Sequence, residues 1–350
     1  MRARRLARSS LTSRSHALLQ VVHSTAGIHA QVQASAELQL AARVEGITQE
    51  DVRAALWRDR TLVKAWTLRG TLHLHPAAEL PLWFATRTPR EELDEWRDPA
   101  GALHPPVGAD EVQELRAAVW DAASEEPLLR DELTAAVVRR VGKKHEGRLR
   151  SGFSFFTDEL CQGPPRGNKI TLVRPDQWLG SWKRVSRMQA LREAARRFLF
   201  AYGPSQRGDF RQWLGVDAGF DGVDVEEVDV EGRAAFVLAG DTDFPEAKQS
   251  VRLLPEYDVY VMGFREREQL VPASVRQQVA AHRRGRYEGP AGVRFVLVDG
   301  VTAGLWERKK LAKRLEVHVA PVKRVAHRAL EREVERYAQF FGVEPALTVE

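Results

Sequence analysis

Apolar residues recur at helical spacing in two stretches near the start of the chain, SRSHALLQVVHSTAG (13–27) and QVQASAELQLAARV (31–44), and predict two helices. A third is predicted over TQEDVRAALWRD (48–59), where Thr48 stands three residues before Asp51 as a helix-entry signal. The period then drops to two. TLVKAWTLRGTLHLHP (61–76) alternates and carries Arg69-Gly70 at its middle, which predicts a hairpin. The order returns in a second segment. EVQELRAAVWDAA, PLLRDELTAAVVRRVG (opened by Pro127 and closed by Gly142) and LRSGFSFFTDELCQ predict helices, and GPPRGNKITLVRP turns and runs out as a strand. In a third segment, SRMQALREAARRFLFAYG and PSQRGDFRQWLGV predict helices, the latter opened by Pro204 and Ser205. GVDVEEVDVEGRAAFVLAG predicts a strand pair turning at Glu231-Gly232.

The remainder differs. SVRLLPEYDVYVMGF predicts a strand with turn residues Pro255 and Asp258. GVRFVLVDGVTAGLWERKK predicts a hairpin at Asp299-Gly300, RLEVHVAP a further strand, and VKRVAHRALEREVERYAQFFG a closing helix ended by Gly342. Helices followed by a β-hairpin, three times in tandem, are the plan of the winged helix. The fold class expected is mainly α with small β elements: tandem winged-helix units over 1–105, 106–185 and 186–250, with a β-containing C-terminal segment over 251–350. No βαβ pattern is evident.

Composition narrows the setting. Of the 350 residues 43% are hydrophobic and 29% charged, an ordinary globular balance. No apolar run approaches a membrane span. A single cysteine, Cys161, excludes an intramolecular disulfide and a multi-cysteine zinc site, suits the cytosol, and is expected in the core. The Arg- and Ser-rich start reads as a basic arm running into the first helix.

Charge adds a partner. The net charge is +5, and only 10 of the 53 basic residues are lysine. Arginine's planar fork matches phosphate bidentately. The basic residues cluster at 139–150, 282–286 and 307–314, on turns and wings where phosphate contact releases counterions. The DNA-binding candidates are Arg69, Thr71 and His73 on the first wing, Lys143, Lys144 and Arg148 at the second unit's third helix, Arg166 and Lys169 on the second wing, and Arg283, Arg284 and Arg286. Other chemistries fail. GPPRGN lacks the Lys-Ser/Thr ending of a phosphate loop, no Gly-x-Ser-x-Gly elbow occurs, and His73 and His75 have no evident third ligand, so no metal is assigned.

One short motif remains: Gln31-Val32-Gln33, after Gly27. On a helix these glutamines face apart, and on an extended backbone they share a face. Taken with LRGTLHLHP (68–76), FLFAYGPSQRGDFRQWLG (198–215), LLPEYDVYVMGF (253–264) and GLWERK (304–309), the chain resembles, nearly end to end, the winged-helix bacterial DNA glycosylases of the azinomycin-resistance type, which unhook interstrand crosslinks. That family's signature is Gln, a hydrophobic residue, then Gln; a sister branch carries Asp in place of the second Gln.

The resemblance implies that Gln31 and Gln33 are catalytic, with His29, Tyr257, Asp258 and Trp306 as candidates for lining the cleft. It implies hydrolysis of the N-glycosidic bond of N7-alkylated purines, including bulky adducts and crosslinks, with no cofactor. A purine alkylated at N7 already carries positive charge and leaves without being protonated. The enzyme then has to stabilise a cationic sugar and hold a water, which amides can do. No lysine lies near the motif, Lys64 being the nearest, so a monofunctional hydrolase is expected. Because a crosslinked base cannot simply be flipped out, the segment YEGPAGVRFVLVDGVTAGLW and the arginines before it are expected to reach into the DNA. The partner expected is double-stranded DNA carrying alkylated purines, bound by a cytoplasmic, nucleoid-associated monomer. The rival reading is a non-catalytic winged-helix DNA-binding protein or transcriptional regulator.

Overall fold

A computed structural model of the protein describes residues 1–87, 96–97, 103–104, 106–151, 156, 160–180, 182–246, 248–263 and 269–350. They divide into two compact units, one built from Met1–Arg53 and Leu191–Glu350, the other from Ala54–Ala190. Helices and several small, mostly antiparallel sheets make up both.

In the unit of residues 54–190, Leu62–Trp66 pairs with Leu72–Pro76 as the alternation predicts, and left-handed backbone at Arg69 (φ 54°) and Gly70 (φ 67°) closes the turn. A second hairpin, Cys161–Arg166 with Lys169–Val173, joins the same sheet, because Leu62–Trp66 is buried along its whole length and pairs on its other edge through Lys64↔Gln162 and Ala65↔Cys161. Val63, Ala65, Leu80, Cys161, Val173 and Trp178 form the core there. Burial pushes the Cys161 thiol pKa up, so it is inert, as its core position predicts. Helices Ala109–Ala122 and Arg130–Val141 cover the periodic stretches. The second begins three residues after Pro127, because Leu128–Leu129 is taken into the sheet against Leu172 and Thr171. Of the helix predicted over 149–162, residues 152–155 and 157–159 lie outside the described residues, and Cys161 and Gln162 are strand.

In the other unit, the basic start is itself a helix, Arg2–Arg8, held by Arg4 and Arg8 on Asp241 at 2.5 and 2.6 Å. Helices Leu18–Ser24 and Gln33–Ala41 follow. The predicted strand pair is Val225–Val230 with Arg233–Leu238. A five-stranded sheet runs in the order Val251–Leu254, Phe295–Val298, Val301–Lys310, Arg314–Pro321, Glu344–Val349. Its last pair is parallel and is bridged by helix His327–Phe341, whose C-terminus Gly342 closes in the left-handed region (φ 64°). This is a βαβ unit, contrary to the sequence reading. Its final strand is short, carries Pro345 and sits at the sheet edge, where proline is tolerated and periodicity is weak. The strand predicted over 250–264 also stops early. Tyr257 is left-handed (φ 61°), and Asp258 then caps a short helix, Val259–Met262, by accepting from the Tyr260 N–H at 2.9 Å.

Candidate active site

Gln33 is the first residue of helix Gln33–Ala41, and Val32 before it is extended (φ −108°, ψ 113°). The motif is therefore a strand-like step into a helix, which puts positions 31 and 33 on one side of the backbone. Gln31 and Val32 are exposed and Gln33 half-buried. Behind the motif the helix is polar yet buried. Ser35 donates to the Glu256 carbonyl. The Gln39 amide donates to the His29 carbonyl at 2.9 Å and accepts from the Val259 N–H at 3.1 Å. Arg43 meets Asp258 through two bonds of 2.8 and 2.6 Å, with both side chains essentially fully buried. Burial opposes the Arg43 charge, but Asp258 overrides it and holds the guanidinium pKa above its ordinary range. Two side chains of the helix, Ser35 and Gln39, thus hold the backbone of Glu256 and Val259, and Arg43, two residues past the helix end, clamps the Asp258 carboxylate between them. Glu37, on the same helix, accepts from Gln33 at 3.3 Å, Gln49 at 2.6 Å and Arg53 at 3.1 Å.

Beside the motif lies a cavity of about 690 Å³. Val32, Tyr257, Arg283, Arg294 and Trp306 are among its walls, with Glu256. His29 is buried and stacks on Tyr257, ring centroids 5.3 Å apart. Trp306 is anchored by its indole N–H on the Leu254 carbonyl at 2.8 Å and stacks on Tyr337. Arg294 grips Glu256 with bonds of 2.7 and 3.1 Å. Burial alone would raise the Glu256 pKa; Arg294 reverses that and holds it below the ordinary glutamate value. Arg283 binds the carbonyls of Gly289 and Ala291, so it shapes the loop that it also charges. Arg284 and Arg286 stand exposed on that loop.

The cavity thus gathers Val32 of the motif with Tyr257, Trp306 and Arg283. Asp258 is not on its wall but buried against Arg43. The hairpin expected to reach outward is an interior part of the sheet. Its Asp299-Gly300 turn is bound by Tyr260, whose hydroxyl donates to the Gly300 carbonyl at 3.1 Å, and by Ser250, whose N–H donates to the Asp299 carboxylate at 2.7 Å. Exposed basic residues of that region lie on the loop 283–286 and at the far end of the second strand, Lys309 and Lys310.

In the unit of residues 54–190, Arg69, Lys143, Lys144 and Lys169 are exposed. Arg166 is exposed and forked on Glu132, whose carboxyl pKa it holds down. Arg148 pairs with Glu111, and the Thr71 hydroxyl donates to the Leu68 carbonyl at 3.0 Å. His73 is buried, its Nδ1 3.0 Å from the Thr71 carbonyl, an inward strand position and not a surface one. Sequence reading missed Glu37, Glu256 and Arg294. For Glu37 a signal existed: a lone acid amid QASAELQLAA, four residues after Gln33 and so on the same helix face.

The fold and this motif define a class: the chain matches the family described as DNA glycosylase AlkZ-like over residues 22–340, and it belongs to that family of DNA glycosylases. It is similar to the interstrand DNA cross-link repair glycosylase of Streptomyces sahachiroi, 31% identical over 349 residues, covering 92% of this chain and 90% of the relative. Its fold is similar to the solved structure of Streptomyces sahachiroi DNA glycosylase AlkZ, with a TM-score of 0.80 and 29% identity over 100% of this chain and 98% of the other. The substrate is DNA, and the non-catalytic regulator is not favoured. Among the described residues no helix is long and apolar enough to cross a membrane.

Proposed function

We propose that the chain hydrolyses the N-glycosidic bond of N7-alkylated purines in duplex DNA, including bulky adducts and interstrand crosslinks, with Gln31 and Gln33 as the catalytic pair. The observation that carries this reading is the extended Val32, which puts the two amides on one side of the backbone; the neighbouring cavity is walled by Val32 with Tyr257, Trp306 and Arg283, and neither glutamine of the motif is among its lining residues. The C1′–N9 electron pair leaves with the base and neutralises its charge. Water adds to the cationic C1′ and loses its proton to solvent. The amides need only hold that water and turn their carbonyl dipoles toward the sugar. No lysine is among the cavity-lining residues identified, which favours hydrolysis without a lyase step. Relatedness to a cross-link repair glycosylase supports the crosslink as substrate.

The winged-helix units over 1–105, 106–185 and 186–250 and the segment 251–350 belong to the same proposal. They are supported by the hairpins of 62–76, 161–173 and 225–238, each following helices in the chain. The working form is taken to be a cytoplasmic monomer on nucleoid DNA. The direct test is release of N7-methylguanine, with an abasic site left in the strand; a duplex that stays intact under excess protein refutes the reading.

Arg284 and Arg286 are proposed to meet phosphates. Their joint replacement by alanine is expected to lower the slope of log affinity against log salt by about 1 to 2, alike for all sequences. An unchanged slope removes the loop from the interface.

A further inference from the structure

Glu37 is a buried acid to which the preceding reading gives no role. Its side chain is 1% exposed. A carboxylate so placed is costly unless its lone pairs are met, and here they are met from two directions. Gln49 Nε2 donates to one oxygen at 2.6 Å, and Arg53 Nε donates to the other at 3.1 Å. Both donors come from one short helix, Gln49–Arg53, so Glu37 is anchored independently of the Gln31-Val32-Gln33 step. The remaining bond runs the other way along the chain: Gln33 Nε2 donates to Glu37 Oε1 at 3.3 Å.

That bond has a chemical consequence. The two ends of a glutamine amide are nearly the same shape, and only the bonding network decides which way round it sits. An ionised carboxylate only accepts. It can face the amino end of Gln33 and repels the carbonyl end. We propose that Glu37 is a positioning residue for base excision: it fixes the flip of the Gln33 amide so that Oε1 is the end offered to the reaction. This rests on the assignment of Gln33 to the catalytic pair. The flip matters because a water held by a carbonyl oxygen donates a hydrogen bond to it and keeps both lone pairs, one of them for C1′. A flipped amide would donate to the water, occupy one of those lone pairs and draw electron density from the attacking oxygen. It would also turn the positive end of its dipole toward a sugar that is becoming cationic.

Glu37→Gln keeps the shape and removes both the charge and the acceptor-only character. The test is a cycle of four proteins: wild type, Glu37→Gln, Gln33→Ala and the double variant. Single-turnover release of N7-methylguanine is measured at saturating protein, with duplex affinity and thermal melting measured for each. Glu37→Gln is expected to slow release about tenfold to a hundredfold with affinity unchanged, and to cost nothing further when Gln33 is already alanine. Should Glu37→Gln not fold, Arg53→Met at a half-exposed anchor takes its place, with a smaller slowing expected that again vanishes in the Gln33→Ala background. Wild-type release by Glu37→Gln, or an equal loss with and without Gln33, overturns the proposal. If Gln33→Ala is slow while Glu37→Gln is fast, only the role of Glu37 falls; if wild type releases no base, the catalytic assignment falls first and this one with it.

Discussion

Replacing Gln31 and Gln33 together with alanine is expected to cut single-turnover release of N7-methylguanine by about 10²- to 10³-fold, the range found when a preorganised dipole is removed from a site of developing charge. Duplex affinity should stay near that of the wild type. The two amides are argued to act on the cationic sugar and its water, which exist as such only in the transition state, so their loss belongs to the chemical step and not to binding. The fold should also survive. Gln31 is exposed and Gln33 half-buried, and the bonds that hold helix Gln33–Ala41 in place come from Ser35 and Gln39 further along it and from Arg43 just past its end. Val32→Leu is the control, since it alters only an apolar wall of the cavity. Release by the double variant at the wild-type rate would make the two glutamines ordinary surface residues and remove the mechanism.

The motif was legible as three letters, but its geometry was not. Local spacing left Gln31 and Gln33 either apart on a helix or together on extended backbone, and the choice fell to the N-terminal boundary of helix Gln33–Ala41, a feature that periodicity locates poorly. The hairpins were the most legible elements. Arg69-Gly70, Glu231-Gly232 and Asp299-Gly300 all turn with left-handed backbone, and the strands around them alternate. Pairing between hairpins was not legible. That Leu62–Trp66 takes Cys161–Gln162 as a second neighbour depends on residues about a hundred positions away, and the only trace in the sequence is a strand apolar on both faces. The partners of the charged residues were not legible. His73, expected on the first wing to meet DNA, is buried; Arg148 pairs with Glu111, and Arg4 of the basic start pairs with Asp241. A basic residue in a sequence does not name its partner, and here many partners are acids within the same unit.

The buried pair Arg43–Asp258 bears the largest expected effect on stability. Asp258 lies one residue after Tyr257, and Arg43 lies near the far end of the helix that starts at Gln33, so the pair ties the motif's helix to the cavity wall. Both charges are out of water, and each is satisfied only by what surrounds it. Arg43 gives two bonds to the carboxylate and a third to the Gln39 carbonyl at 3.0 Å; Asp258 takes those two and the Tyr260 N–H. Arg43→Ala leaves an ionised carboxylate in the interior with one remaining donor. The expected loss is about 3–5 kcal/mol in urea unfolding, because breaking a buried pair costs the desolvation of the orphan and not merely the attraction. Removing both charges, Arg43→Met with Asp258→Asn, should recover a good part of that loss, since no uncompensated charge then remains and Asn can still cap Tyr260. Stability and activity should then separate. The doubly neutral variant regains its fold but loses the bidentate clamp on 256–259, so base release should recover less than stability does. If the double variant were as unstable as Arg43→Ala, the cost would lie in packing volume rather than in the orphaned charge, and the pair would be an incidental feature of the core.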